Sequence, residues 1–324
     1  MKRRKVYPGE VHHIYQRTLN HGVLFYSVKD YLVFFTLYCS LAQKHGITVL
    51  ALCPMPDHLH NAVVAQSQHQ LSEFVKEYTQ TFALLWNKSR RRKGDLFHHG
   101  FGCSIKLGNK QVRTIINYNY NNPVERKLAK KAEDYRWNFL AYYKNEHPFS
   151  ARGTARTMSW KLKMALKEVQ AYHNLGKYLG YTLLDRLFKS LEPPEQQQLT
   201  DSIISLWNIV DYDAAIAYYG SFESMVRSFH DNTGSEYEIK EDKDSYSDSV
   251  YQDCTRYLLK EKLIKDVFVI PTLPNSRKLE LFRLLRLRTA AEPKQLYKYL
   301  HLPLPKCKTQ VINNQDITKN QSGK

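Results

Sequence analysis

No stretch of this chain is both apolar and long enough to cross a membrane; nothing approaches the roughly 18 to 20 apolar residues a spanning helix needs. Where a signal peptide would carry its apolar core, the basic start "MKRRKVYPGEVHHIYQRT" continues into a charged, histidine-bearing segment. A soluble, cytoplasmic protein with no membrane partner is expected. The five cysteines, at 39, 53, 103, 254 and 307, include no Cys-x-x-Cys pair, which argues against a zinc ribbon or a disulfide framework. Internal repeats are absent, and no Gly-Lys-Ser/Thr phosphate loop follows residue 150.

Acidic residues are also scarce: 31 Asp and Glu face 48 Lys and Arg, a net charge of +17. The excess is uneven, because residues 1–150 hold 22 basic against 10 acidic side chains, a net of +12, and the remainder carries only +5. A surface that neutralises phosphates releases their condensed counterions. Nucleic acid is therefore the expected partner, held mainly by the front half, although a merely basic or ribosome-associated protein has the same charge. A length of 324 residues suits two domains.

The segments present have a readable order. "EVHHIYQRTL" is rich in β-branched and aromatic residues and reads as a strand. "KDYLVFFTLYCSLAQKHG" sets Leu32, Phe35, Tyr38, Cys39 and Ala42 at helical spacing, with Gly46 as the stop. "ITVLALCPMP" and "HLHNAVVA" predict a hairpin, "LSEFVKEYTQTFALLWNKSRRRKG" a second amphipathic helix, and "FHHGFGCSIKL" a fourth strand. A further helix starts near Lys110 and is expected to break at Pro123.

The order β-α-β-β-α-β predicts an α+β fold, a ferredoxin-like split βαβ sheet over residues 1–150. A mostly α-helical C-terminal region follows, with a helical stretch at 151–230 and an acidic polar linker at 231–270. Residues 271–324 read as a basic helix-turn-helix-like segment with a polar tail. Between 277 and 308 it carries 9 basic against 2 acidic residues, and "KCKTQV" would lie on its next helix. A packed helical pair with a solvated basic face fits the same pattern.

Within "PMPDHLH", His58 and His60 are alternate residues of a strand, so their imidazoles share a face while Leu59 turns into apolar packing. Two imidazoles on one face can chelate a metal; two polar groups on a wet strand look the same. Downstream, Tyr118 and Asn122 are four apart on a helix and face one way, which ordinary helix packing would also produce.

"VHHIYQRTLNHGVLF", "PMPDHLH", "YNYNNPV" and "DYRWNFLAYY" together resemble the successive blocks of REP-associated tyrosine transposases, relatives of single-tyrosine insertion-sequence transposases within the HUH endonuclease superfamily. The resemblance spans residues 6–143 and implies a ferredoxin-like sheet. It places the metal ligands at His58 and His60, the nucleophile at Tyr118 and the helping polar ligand at Asn122. Tyr120, two residues on, would be rotated about 200° away. The metal implied is Mg²⁺ or Mn²⁺, although the ligand types alone equally admit zinc.

The partner implied is single-stranded DNA with hairpin structure, and the family resemblance admits a homodimer. Lys106, Arg90, Arg91, Arg92, Lys93 and Arg126 are the basic side chains expected to hold the DNA backbone. Asp57 departs from the Asn usual before the first ligand, either adding negative charge near the metal or capping the hairpin. The implied activity is nicking and joining through a 5′-phosphotyrosine. Two other readings remain: a domesticated, non-catalytic DNA-binding regulator, and a replication or conjugation initiator, which would predict a joined helicase domain, whereas no Gly-Lys-Ser/Thr phosphate loop follows residue 150.

Overall fold

The computed structural model describes residues 6–98, 100–151, 158–231 and 247–304. Its centre is a four-stranded antiparallel sheet in the order β2-β3-β1-β4, formed by β1 (Val11–Arg17), β2 (Thr48–Met55), β3 (His58–Val64) and β4 (Gly102–Lys106). With α1 (Val28–His45) between β1 and β2, and α2 (Gln68–Ser89) between β3 and β4, this is the expected split βαβ arrangement.

The alternation of side chains sends each face of the sheet to a different core. Ile14, Leu52, Leu59 and Val63 pack with the apolar side chains of α1 and α2. On the other face Val11, Ala51 and Ala62 meet Val112, Ile116 and Tyr118 of α3 (Gly108–Glu125). Ser27 opens α1 with a reciprocal cap to Asp30, and Gly46 ends it at φ +64°, a left-handed conformation that favours glycine. Pro123 does not interrupt α3, contrary to expectation. It falls in the last turn, where one ladder bond is forfeited, and the helix closes by the Arg126 N–H donating to the Asn122 carbonyl at 3.0 Å.

The helices beyond residue 150 continue the same core. α5 (Tyr181–Lys189) and α6 (Pro193–Trp207) pack against α1, with α4 (Trp160–Asn174) on α6, which is why α1 is buried nearly all round. α7 (Tyr212–Ile216) and α8 (Phe222–His230) join the α3 side. Of the expected linker, residues 232–246 lie outside the described residues, whereas α9 (Val250–Lys260) is helical. The polar composition hid the stripe of Val250, Tyr251, Cys254 and Leu258.

α10 (Asn275–Arg288) and α11 (Pro293–Tyr299) share a third core with α9, and "KCKTQV" lies outside the described residues. α11 also locks onto the sheet's α1 entrance. The Val23 N–H donates to the Lys298 carbonyl at 3.1 Å, and Tyr26 Oη donates to the Tyr299 carbonyl at 2.5 Å. His301 donates from Nε2 to the Val23 carbonyl at 2.8 Å and stacks on Trp86.

Burial holds the His301 imidazole neutral, its pKa pushed down to about 4. Because the folded state binds that proton less readily than the unfolded chain, this contribution to stability is complete above the ordinary value of 6.5 and is lost as pH falls towards about 4. Melting temperature should therefore fall through that window. His301→Gln should remove part of the pH dependence, and an unchanged profile would detach the effect from this residue.

Candidate active site

The hairpin turn Pro56-Asp57 delivers His58 as the first residue of β3. Its tip is tied down by the Leu24 and Phe25 N–H groups, which donate to the Pro56 carbonyl at 2.7 and 3.2 Å. From there the period of two puts His58 and His60 on the α3 side of the sheet, their rings 4.7 Å apart and nearly perpendicular. Both are buried, unlike the wet strand face that the sequence left open. The covering helix brings Tyr118 to them: its hydroxyl is 3.5 Å from His60 Nε2, with the rings edge to face at 5.0 Å.

The hydrogen-bond partners separate the two imidazoles. His58 Nδ1 faces Asp57 Oδ1 at 2.5 Å, an arrangement that turns Nε2 towards the opposite side of the ring and, in the neutral imidazole with Nδ1 protonated, keeps its lone pair for a ligand. That Nε2 is buried without a hydrogen-bond partner, as is Asn122 Oδ1, one helical turn beyond Tyr118. His60 Nδ1 lies 3.1 Å from His13 Nε2. Buried polar atoms are almost always satisfied, so an unpartnered ring nitrogen within a buried imidazole pair suits a bound cation. Among the described residues no three His, Cys, Asp or Glu are grouped to hold a metal.

Asp57 itself is the centre of a charged cluster. Burial opposes its ionisation, but Lys298 and His58 outweigh burial and hold its carboxyl well below the usual carboxylate range. Asp248 nearby is pushed up to about 6, first by burial and then by Asp57. Tyr120 is elsewhere: its ring packs on Phe229 at 4.9 Å, its hydroxyl is buried without a partner, and burial raises its pKa well above the ordinary phenol value.

Strand register adds residues that the sequence did not single out. β1 pairs Tyr15 with His60 and Arg17 with His58, so His13, Tyr15 and Arg17 share the histidine face. The alternate spacing in "HHIYQR" was the available signal, but it acquires meaning only once β1 is known to lie beside β3. Tyr15 is 40% exposed. Its ring lies across Gly102 of β4 so closely that a Cβ there would stand 1.9–2.3 Å from three ring carbons.

The expected DNA contacts divide. Arg91 and Lys93 are exposed at the end of α2, and the loop after them returns to the histidine end of the sheet, where the His98 N–H donates to the Arg17 carbonyl at 3.0 Å. Arg126 is half-buried two turns beyond Tyr118 on α3 and its end. Arg92 is partly engaged, giving hydrogen bonds to Asn87 Oδ1 and to the Gly94 and Asp95 carbonyls. Lys106 pairs with Val11, six residues along β1 from Arg17, about 20 Å from the histidine end at the usual strand rise. Arg90 must be withdrawn from the DNA-binding set. Its side chain is fully buried, with Nη2 donating to Asp30 Oδ1 at 2.5 Å and the guanidinium over Trp86 at 4.0 Å, because an apolar setting requires the charge to be paired inside.

The molecule is an α+β fold, a split βαβ sheet that carries an imidazole pair on an inner strand, with a phenol presented from a covering helix. Residues 5–122 match the family described as "Transposase IS200 like", so this part of the chain is similar to that family. Among solved structures, a REP-associated tyrosine transposase bound to a REP hairpin is 14% identical, covering 49% of this chain and 97% of its own, with a TM-score of 0.39. No curated protein matches the chain. Among the described residues no helix is long and apolar enough to cross a membrane.

Proposed function

We propose that this transposase-like protein nicks and rejoins single-stranded DNA at hairpin-forming repeats, with Tyr118 as the nucleophile. The observation that carries this reading is the Tyr118 hydroxyl 3.5 Å from His60 Nε2, beside the buried, unpartnered His58 Nε2. Tyr118 Oη would attack phosphorus, forming an O–P bond as the bond from phosphorus to the 3′ oxygen breaks. The phenolic proton leaves Tyr118, the departing 3′ oxygen takes up a proton, and the 5′ side stays attached as a phosphotyrosine. One phosphoester replaces another, so a new 3′ hydroxyl can reverse the step without ATP. His58, His60 and Asn122 would hold a divalent cation, Mg²⁺ or Mn²⁺, whose charge would polarise a non-bridging phosphate oxygen.

The chain's own residues supply the rest. α3 fixes the phenol against the imidazole pair, so the nucleophile is positioned before substrate arrives. Arg17, Arg91, Lys93 and Arg126 are placed to counter backbone charge around the histidine end.

Incubation with labelled hairpin-bearing single strands and Mn²⁺ should give a covalent DNA–protein adduct, and sequencing both ends would identify the site. His58→Ala combined with His60→Ala should abolish the adduct and the heat of Mn²⁺ binding while hairpin affinity persists, with melting curves confirming a folded protein. Unchanged Mn²⁺ affinity would return the pair to ordinary packing, and hairpin binding without any adduct would favour a non-catalytic regulator.

A further inference from the structure

His58 is linked through Asp57 to Lys298, 240 positions away in sequence. Asp57, whose Oδ1 faces His58 Nδ1 at 2.5 Å, uses its other oxygen to accept from Lys298 Nζ at 2.9 Å. All three side chains are at most one-tenth exposed. Lys298 reaches this place because α11 is anchored on both sides of it: its own carbonyl accepts from the Val23 N–H, and the next carbonyl, that of Tyr299, accepts from Tyr26 Oη. A buried carboxylate needs a countercharge, and one held at a single oxygen by its neighbouring imidazole is free to rotate about its side-chain torsions.

We propose that Lys298 is a positioning residue of the site: by fixing the Asp57 carboxylate, it sets the tautomer and ring orientation of His58, so the C-terminal helical region completes the catalytic sheet's imidazole pair. This rests on the function proposed above for His58. The helices past residue 250 thereby have a task in the chemistry, beyond holding a basic surface. The order of dependence is Lys298 to Asp57 to His58 Nε2, the atom left without a partner. Removal of outer partners of a ligating histidine typically weakens metal affinity about 10–100-fold.

The test uses the full chain with Lys298→Met, Lys298→Arg and Asp57→Asn, and His58→Ala as reference. Nitrogen NMR of the histidine rings reads the His58 tautomer without metal, and calorimetry reads Mn²⁺ affinity. Lys298→Met should mix the tautomers of His58 and weaken Mn²⁺ binding about 10–100-fold, Lys298→Arg should restore both, and Lys298→Met should add little to Asp57→Asn. If Lys298→Met melts below the working temperature, Lys298→Gln replaces it, keeping a donor without the charge. A folded variant with an unchanged His58 tautomer overturns the proposal, leaving Lys298 as a latch between helices. If His58→Ala leaves Mn²⁺ affinity intact, the metal-site reading fails, and the tautomer measurement still decides what Lys298 does.

Discussion

Tyr118→Phe is expected to reduce covalent attachment to single-stranded DNA to background while leaving hairpin affinity nearly unchanged. The substitution removes one oxygen from a ring whose position is set by edge contacts with His60 and His13, so shape is kept and only the nucleophile is lost. Tyr120→Phe is the matched control. Its hydroxyl is buried without a partner, so deleting it should be neutral or slightly stabilising, and the adduct should persist. A labelled adduct surviving in the Tyr118 variant would remove the nucleophile assignment, and its absence in the Tyr120 variant would transfer that role.

Arg90→Ala should be the most damaging single change for stability. The guanidinium joins four parts of the molecule. It pairs with Asp30, which caps α1 by accepting from the Tyr26 and Ser27 N–H groups and also accepts from Tyr181 Oη of α5. It also lies over Trp86 and, at 4.4 Å, over Phe268. Truncation leaves Asp30 buried beside a cavity, a change that typically costs about 3–5 kcal/mol, or a fall in melting temperature of roughly 5–15 °C. Below that melting point, affinity for single-stranded DNA should match the parent chain. A selective loss of affinity with an unchanged melt would restore Arg90 to the DNA surface.

The front half was legible because its signals are local. Period-two and period-3.6 patterns marked β1 to β4 and α1 to α3, and Gly46 stopped α1 for the reason read from the sequence. Spacing alone also put His58 with His60 and Tyr118 with Asn122. What stayed hidden is what only tertiary packing decides. A basic run gave no sign that Arg90, its first arginine, turns inward whereas Arg91 and Lys93 face out. Asp57 read as a turn residue with two plausible jobs, and nothing in the sequence linked it to Lys298. The acidic composition around α9 concealed a short apolar stripe, and Pro123 looked like a break because its distance from the helix end was unknown. His13 was invisible as a site residue until the pairing of β1 with β3 brought it within 3.1 Å of His60.

The ring of Tyr15 and the bare backbone of Gly102 occupy space that only one of them can fill. In evolutionary terms the two positions are coupled: a lineage that keeps the ring of residue 15 in this place keeps hydrogen as the side chain at 102, and one that gains a side chain at 102 must turn the ring aside or give it up. Substitutions at the two sites should therefore travel together among relatives, recording the pairing of β1 with β4 in their sequences, and strand assignments for distant chains could be checked at those two columns alone.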